Sequence, residues 1–434
     1  MKTIIANGRI VMPDGVLNGT LTVDGGRITS VQAASATEVR KGSDVEEIDT
    51  RIDAQMGTNV ERIDAWKGAN VERIDAWKGT DVERIDERKF TDVERIDAQG
   101  CFVLPGLIDF HCDMLEHAVQ PRKGVFFPVS LALQSLQSQY LAAGITAILH
   151  PVSFSGEPGL RSNEMADEIV HEIENFRRKE CSLLRHFIHV RYELFNQAGL
   201  ETLEKILNDG LAALFSVMDH SPGYTRFNQY YDYKNYVGKN STLKGEALDE
   251  YVNGQWEKRF TNNNELQEEI IKFVKKVDIP FATHDDDSPG RFDTYRQYGA
   301  AISEFPLNEK TAAYVMKNNY FSVVGAPNLF RNRSHADNLS ARAAVKNGMA
   351  NIVCSDYYCF ALLPSVFILF EEGMKLEEAV SLVSSNPARA LGLSDRLGSL
   401  EPGKDADVIL VSYEKGEIPF VKRAMVAGKW SFIS

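Results

Sequence analysis

The sequence predicts an α/β protein: a metal-dependent (β/α)₈ barrel of the TIM type with a small β-sandwich built from both termini. Three observations carry this. Between residues 101 and 395, eight short apolar segments are interleaved with amphipathic helical stretches, a pattern that builds a parallel sheet and, at eight units, closes it. Both chain ends are instead short strands joined by turn residues. Finally, histidines and carboxylates recur where the barrel segments end.

At the N-terminus, "TIIANGRIVM" and "GTLTVDGGRITSVQA" read as strands, with Asn-Gly and Asp-Gly-Gly as tight hairpin connections. "DADVILVSYEKGEIPFVKRAMVAGKW" resumes that style at the C-terminus. An internal repeat lies between them: Val60, Val71, Val82 and Val93 mark an 11-residue step through "NVERIDAWKG" and its variants. The tract has no His or Cys, so it is expected to decorate the β-rich part without carrying chemistry. The predicted division is 1–48 for the first part of the sandwich, 49–100 for the repeat insertion, 101–393 for the barrel and 394–434 for the rest of the sandwich.

The barrel strands are "GLIDFHCD", "ITAILHPVSF", "HFIHVRYELF", "AALFSVMDHS", "IPFATHDDD", "AAISEFP", "YFSVVGAP" and "ANIVCSDYY". "RSNEMADEIVHEIENFRRKE" and "LQEEIIKFVKKV" are two of the helices between them. An open doubly wound sheet is the competing arrangement, but it usually carries a G-x-G-x-x-G turn, and the chain has none.

Composition narrows the function. With 434 residues, 44% apolar and 25% charged, the chain can bury a sizeable core. A net charge of −13 argues against nucleic acid or an anionic membrane as partner. An anionic small molecule would have to be neutralised locally, by metal ions or clustered Arg and Lys. The longest apolar run, "FALLPSVFILF", is short of a membrane span and contains proline. The N-terminal apolar stretch is too short for a secretion signal. Five cysteines without C-x-x-C spacing read as reduced thiols. A cytoplasmic protein is expected, and its oligomeric state is left open, a homo-oligomer included.

In a barrel of this type the site lies at the C-terminal strand ends. His111, Asp113, Glu193, His220, His284 and Asp356 all end apolar segments and precede polar or Pro/Gly-containing loops. His111 and Asp113, two residues apart, point to the same side of a strand. Crowded carboxylates and desolvated histidines are costly unless a cation relieves them. Six N/O donors exceed one tetrahedral ion and suit a pair of divalent ions, Zn²⁺ or Mn²⁺, with Glu193 as the bridging carboxylate. Such ions acidify a bound water, and Asp356 is placed to take its proton. His150, His171, His186 and His189 are expected to be packed or solvent-facing, with His117 undecided. Most of Asp285, Asp286 and Asp287 are assigned to hydration and helix capping. Asn328, Arg331, Arg333 and His335 crowd "GAPNLFRNRSHADN" after the seventh strand, a loop position that often holds phosphate. A solvated loop remains the alternative there.

"VLPGLIDFHCD", "SNPARALGL" and "LGSLEPGKDADVILV" resemble the amidohydrolase superfamily. "VMDHSPG", "THDDD", "EFP", "GAPNLFRNRSHADN" and "CSDYY" resemble its phosphonate-metabolism branch, the PhnM type. The resemblance spans nearly the whole chain outside about 50–95. It implies the barrel and sandwich, metal roles for the six residues above, and hydrolysis of α-D-ribose 1-methylphosphonate 5-triphosphate to the 5-phosphate and pyrophosphate. For that triphosphate, Arg122, Lys123, Arg226, Arg331 and Arg333 are the candidate cations at the mouth. An amidohydrolase acting on a cyclic amide or N-acyl substrate is the enzyme alternative, and a non-catalytic binding protein is the alternative of another class. One point stays open: the superfamily's bridging carboxylate belongs to the fourth strand, whereas the predicted strands put Glu193 on the third. Either a strand lies unread between 154 and 186, or Glu193 is not the bridge.

Overall fold

A computed structural model describes residues 1–34, 93–220, 229–241, 243–258, 264–333 and 339–434. Most of the 11-residue repeat, Arg226 and His335 lie outside the described residues.

The terminal sheet contains β1 (Lys2–Met12), β2 (Gly15–Asp24), β3 (Arg27–Ala33), β4 (Val93–Asp97) and β5 (Phe102–Pro105). The Asp24-Gly25-Gly26 turn joins β2 to β3 as predicted, with both glycines at positive φ. Asn7-Gly8 is not a hairpin. It sits inside β1 as a bulge, with Asn7 at φ +56°, and the hairpin turns instead at Pro13 and Asp14. At that bulge β1 changes partner, pairing with β4 through Lys2–Ala6 and with β5 through Arg9 and Ile10. A side chain at Gly8 would lie 2.4 Å from Val103, so the small residue permits the close approach.

The barrel follows: β6 (Leu107–Asp109), β7 (Ile145–Phe154), β8 (Arg185–Glu193), β9 (Ala212–Met218), β10 (Phe281–His284), β11 (Ile302–Glu304), β12 (Phe321–Gly325) and β13 (Ile352–Cys354). These are the eight predicted segments, in order, and each pairs in parallel with the next. No strand lies between β7 and β8, where a helix runs from Asn163 to Arg177. Glu193 is therefore on the third barrel strand. Finally β14 (Val408–Ser412), β15 (Phe420–Val426) and β16 (Lys429–Ile433) return to the terminal sheet, whose order is β16-β15-β14-β5-β1-β2-β3.

Local sequence explains the layers. The Asn163–Arg177 helix starts where the Ser162 side chain accepts from the Met165 N–H, and Glu164 lies in its first turn. Ala166, Ile169, Val170 and Ile173 then recur at three- and four-residue steps and pack on the barrel's outside. On β8, Ile188, Val190 and Tyr192 join this outer core. The alternate residues His189, Arg191 and Glu193 point inward. The terminal sheet has its own core around Ile10, Leu21, Val103 and Val408. Arg185, at the start of β8, ties the two parts together through Asp405 at 3.1 Å and Asp407 at 2.8 Å.

The barrel closes at its C-terminal end. Cys112 and Asp356 form an isolated parallel bridge, in which the Asp356 N–H donates to the His111 carbonyl at 2.8 Å and the Asp113 N–H to the Asp356 carbonyl at 2.6 Å. Below this point, Leu382 accepts from Val353 and Val383 from Ile108. The main chain of three predicted ligands thus seals strand one to strand eight.

Candidate metal centre

All six predicted ligands stand at the C-terminal mouth of the barrel. Glu193 and His284 are the last residues of β8 and β10, and the other four lie just beyond β6, β9 and β13. Backbone strain collects there. Asp285, Phe305 and Asp356 have φ of +54°, +54° and +57°, a region that non-glycine residues enter at a cost of about 1–3 kcal/mol. Two of these follow directly on His284 and Glu304.

Among the described residues, three groups offer donor atoms within 4.8 Å of one another: His111, Asp113 and Asp356; His220, His284 and Asp285; and, deeper, His111, His189 and Glu304. Glu193 does not enter these groups. Its Oε1 lies 2.5 Å from His220 Nδ1 and its Oε2 accepts from the His220 N–H at 3.0 Å, so it orients His220 in this geometry.

Glu304 is the hub below. Its Oε1 is 3.1 Å from His111 Nδ1, and its Oε2 accepts from Ser216 Oγ at 2.9 Å. His189 Nε2 and His284 Nδ1 lie 3.5 and 3.7 Å from the same Oε2. On its other side, His111 Nε2 lies 3.3 Å from Asp113 Oδ1. Burial alone would lower the His111 pKa, but these two carboxylates raise it to about 10. Burial would raise Asp113, but the His111 contact holds it well below the usual carboxylate range. Burial pushes His284 down to about 4.

These residues fit a divalent cation. The donors are the imidazole and carboxylate types that borderline metals take. Asp113 Oδ1 is buried without a hydrogen-bond partner among the described residues, and the carboxylates outnumber the fixed cations around them.

The predicted substrate contacts are less gathered. Arg122 and Lys123 are exposed in the loop after strand one, where Lys123 Nζ donates to the Gly238 carbonyl at 2.5 Å. Asn328 is half-buried in the helix Ala326–Arg331, and Arg331 and Arg333 are exposed at its end.

Several site residues escape the sequence reading. His189 is packed, as expected, but inside the barrel against Ser216 and Glu304 and not in an apolar layer. Asp285 faces His220 and His284 at 3.4 and 3.9 Å; of its neighbours, Asp286 accepts from Thr283 and Ser303, and Asp287 is exposed. Glu304 and Arg191 are site residues that the sequence expectations omit. The signals were present: Glu304 ends a strand before Phe-Pro, and 189, 191 and 193 share one face of β8. His150 and His186 do pack away from the site, near-parallel rings with centroids 5.2 Å apart and His150 Nε2 2.8 Å from His186 Nδ1. His117 is exposed, and His171 pairs with Asp167.

Comparison with known proteins agrees with this architecture. The model of the amidohydrolase family matches residues 197–431. The chain is 31% identical over 324 residues to the α-D-ribose 1-methylphosphonate 5-triphosphate diphosphatase of Escherichia coli K12, covering 74% of this chain and 85% of that protein. Among solved structures, N-acetylglucosamine-6-phosphate deacetylase from Pasteurella multocida superposes with a TM-score of 0.57 at 12% identity, covering 99% of each chain. N-isopropylammelide isopropylaminohydrolase from Burkholderia multivorans gives 0.58 at 14% identity, over 99% of this chain and 98% of that one. At such identities the two structures speak for the fold alone. The barrel, the terminal sheet, the family match and the 31% relative together place the chain in the amidohydrolase family.

Proposed function

We propose that this amidohydrolase is a divalent-metal diphosphatase that hydrolyses α-D-ribose 1-methylphosphonate 5-triphosphate to the 5-phosphate and pyrophosphate. The observation that carries the substrate is the 31% identity to the Escherichia coli diphosphatase over most of both chains. The strand-end histidines and carboxylates supply compatible chemistry. His111, Asp113, Glu193, His220, His284 and Asp356 are the proposed metal-centre residues, with Asp285 added from its geometry. A divalent ion held there supplies an acidified water and neutralises phosphoryl charge. Asp356 accepts the proton from the attacking water and returns it to the departing pyrophosphate oxygen. Arg122, Lys123, Asn328, Arg331 and Arg333 are proposed to meet the polyphosphate at the rim, together with Arg226 and His335.

The test is a substrate panel with the Zn²⁺- or Mn²⁺-loaded protein. kcat/KM for the ribosyl methylphosphonate triphosphate should exceed that for cyclic amides and N-acyl amino acids by orders of magnitude. The reverse order would move the protein to amide chemistry.

Proton linkage offers a second check. Between the ordinary histidine pKa and about 10, folded His111 holds a proton that an ion would displace. Metal uptake should therefore release protons, and apparent affinity should rise with pH up to about 10. A calorimetric titration in buffers of different ionisation enthalpy measures the release; uptake without proton release would show that His111 does not bind the ion.

A further inference from the structure

Strand β4 (Val93–Asp97) is the last copy of the 11-residue repeat, and its contacts show what a placed copy does. It runs parallel to β1, with Val93 opposite Lys2 and Asp97 opposite Ala6. Glu94 Oε2 accepts from Thr3 Oγ1 at 3.2 Å and from Trp430 Nε1 at 2.8 Å. Ile96 packs on the core of the terminal sheet. Asp97 Oδ1 accepts from Asn7 Nδ2 at 3.1 Å. Ala98 is buried, and its N–H donates to the Ala6 carbonyl at 2.8 Å. The edge of β1 thus engages one six-residue string, V-E-R-I-D-A.

We infer that this edge of β1 is a docking position with interchangeable occupants, and that residues 71–76 of the same chain are its second occupant. V-E-R-I-D-A recurs unchanged at 60–65 and 71–76, so the side chains that β4 uses are present in both. The copy at 82–86 is disfavoured, because Glu87 follows it and would put a carboxylate where Ala98 is buried. The copies do not add beside β4 as further strands. Parallel neighbours need a crossover of about a dozen residues, and only six separate one V-E-R-I-D from the next. Copies therefore replace one another. β4 is preferred because the turn into β5 follows it directly: Gln99 and Gly100 have positive φ, and the Gly100 N–H donates to the Asn7 carbonyl at 2.9 Å. Seating 71–76 instead lengthens that connection by 22 residues. Closure entropy grows slowly with loop length, so this disfavours the exchange by roughly tenfold. Seating 60–65 adds 11 residues more, which leaves 71–76 the better substitute.

Ile96→Asp tests the exchange, because it spoils β4 and leaves the upstream copies intact. In the full chain it should lower Tm by only about 2–5 °C, the equivalent of that tenfold. A chain lacking 56–88 has no substitute at 60–65 or 71–76. With β4 unaltered it should melt with the full chain, and with Ile96→Asp it should lose at least twice as many degrees or fail to fold. Hydrogen exchange read by mass spectrometry follows the occupant itself: in full-length Ile96→Asp, protection should leave 93–98 and appear at 71–76. Equal losses of Tm in the two backgrounds, a deleted chain that fails to fold with β4 unaltered, or no new protection at 71–76 overturns the inference. A dimer of full-length Ile96→Asp that the wild type does not form also overturns it, because the substitute strand would then come from a second chain.

Discussion

Asp356→Asn should lower turnover by about 10²–10⁴-fold, the usual contribution of a positioned general base, with little change in KM or bound metal. The substitution separates side-chain chemistry from structure unusually well. Asp356 sits at φ +57°, in the left-handed region where Asn is among the residues best tolerated. Its N–H and C=O, which seal the barrel against His111 and Asp113, are untouched. One oxygen remains for coordination, while the proton acceptor is lost. Asp356→Ala differs, because it loses both side-chain oxygens. Steady-state kinetics with metal analysis decides the matter. Turnover within a few-fold of wild type in Asp356→Asn would put the base elsewhere.

Removing metal should have the largest effect of all: complete loss of hydrolysis, reversed by Zn²⁺ or Mn²⁺. It should also loosen the fold. A ligand that binds only the folded state at 100 times its Kd stabilises that state by about 2.7 kcal/mol, and this centre lies on the seam between strands one and eight. Chelated protein should melt at lower temperature, and Tm should climb with added ion. Full turnover in metal-free, chelator-treated protein would contradict a metal-dependent mechanism.

How far the sequence alone reaches is set by the physics of each element. The eight barrel strands are legible because each is an apolar run with a polar break after it, and buried parallel strands require that pattern. The six ligand candidates are legible for a related reason: an imidazole or carboxylate at such a break has no packing role to explain it. Glu304 fails the same criterion because the polar Ser303, directly before it, interrupts the apolar run of its strand, Ile302–Glu304. His189 and Arg191 lie within a strand, where sequence reasoning expects barrel interiors to be apolar. Only the three-dimensional fact that Glu304 and His284 arrive opposite them reveals their partners. Asn7-Gly8 carries a hairpin signal, yet β1 uses its left-handed geometry for a bulge that passes the strand from β4 to β5. The 11-residue repeat is the most conspicuous pattern in the sequence, and most of it falls outside the described residues.

The central claim is phosphoric anhydride hydrolysis, and phosphorus NMR tests it most directly. Metal-loaded protein is mixed with α-D-ribose 1-methylphosphonate 5-triphosphate in ¹⁸O-enriched water. The triphosphate resonances should give way to those of pyrophosphate and a 5-phosphate monoester, with ¹⁸O in the monoester, because water attacks the phosphorus next to the sugar. An unchanged triphosphate spectrum, with metal bound and the protein folded, would contradict the claim.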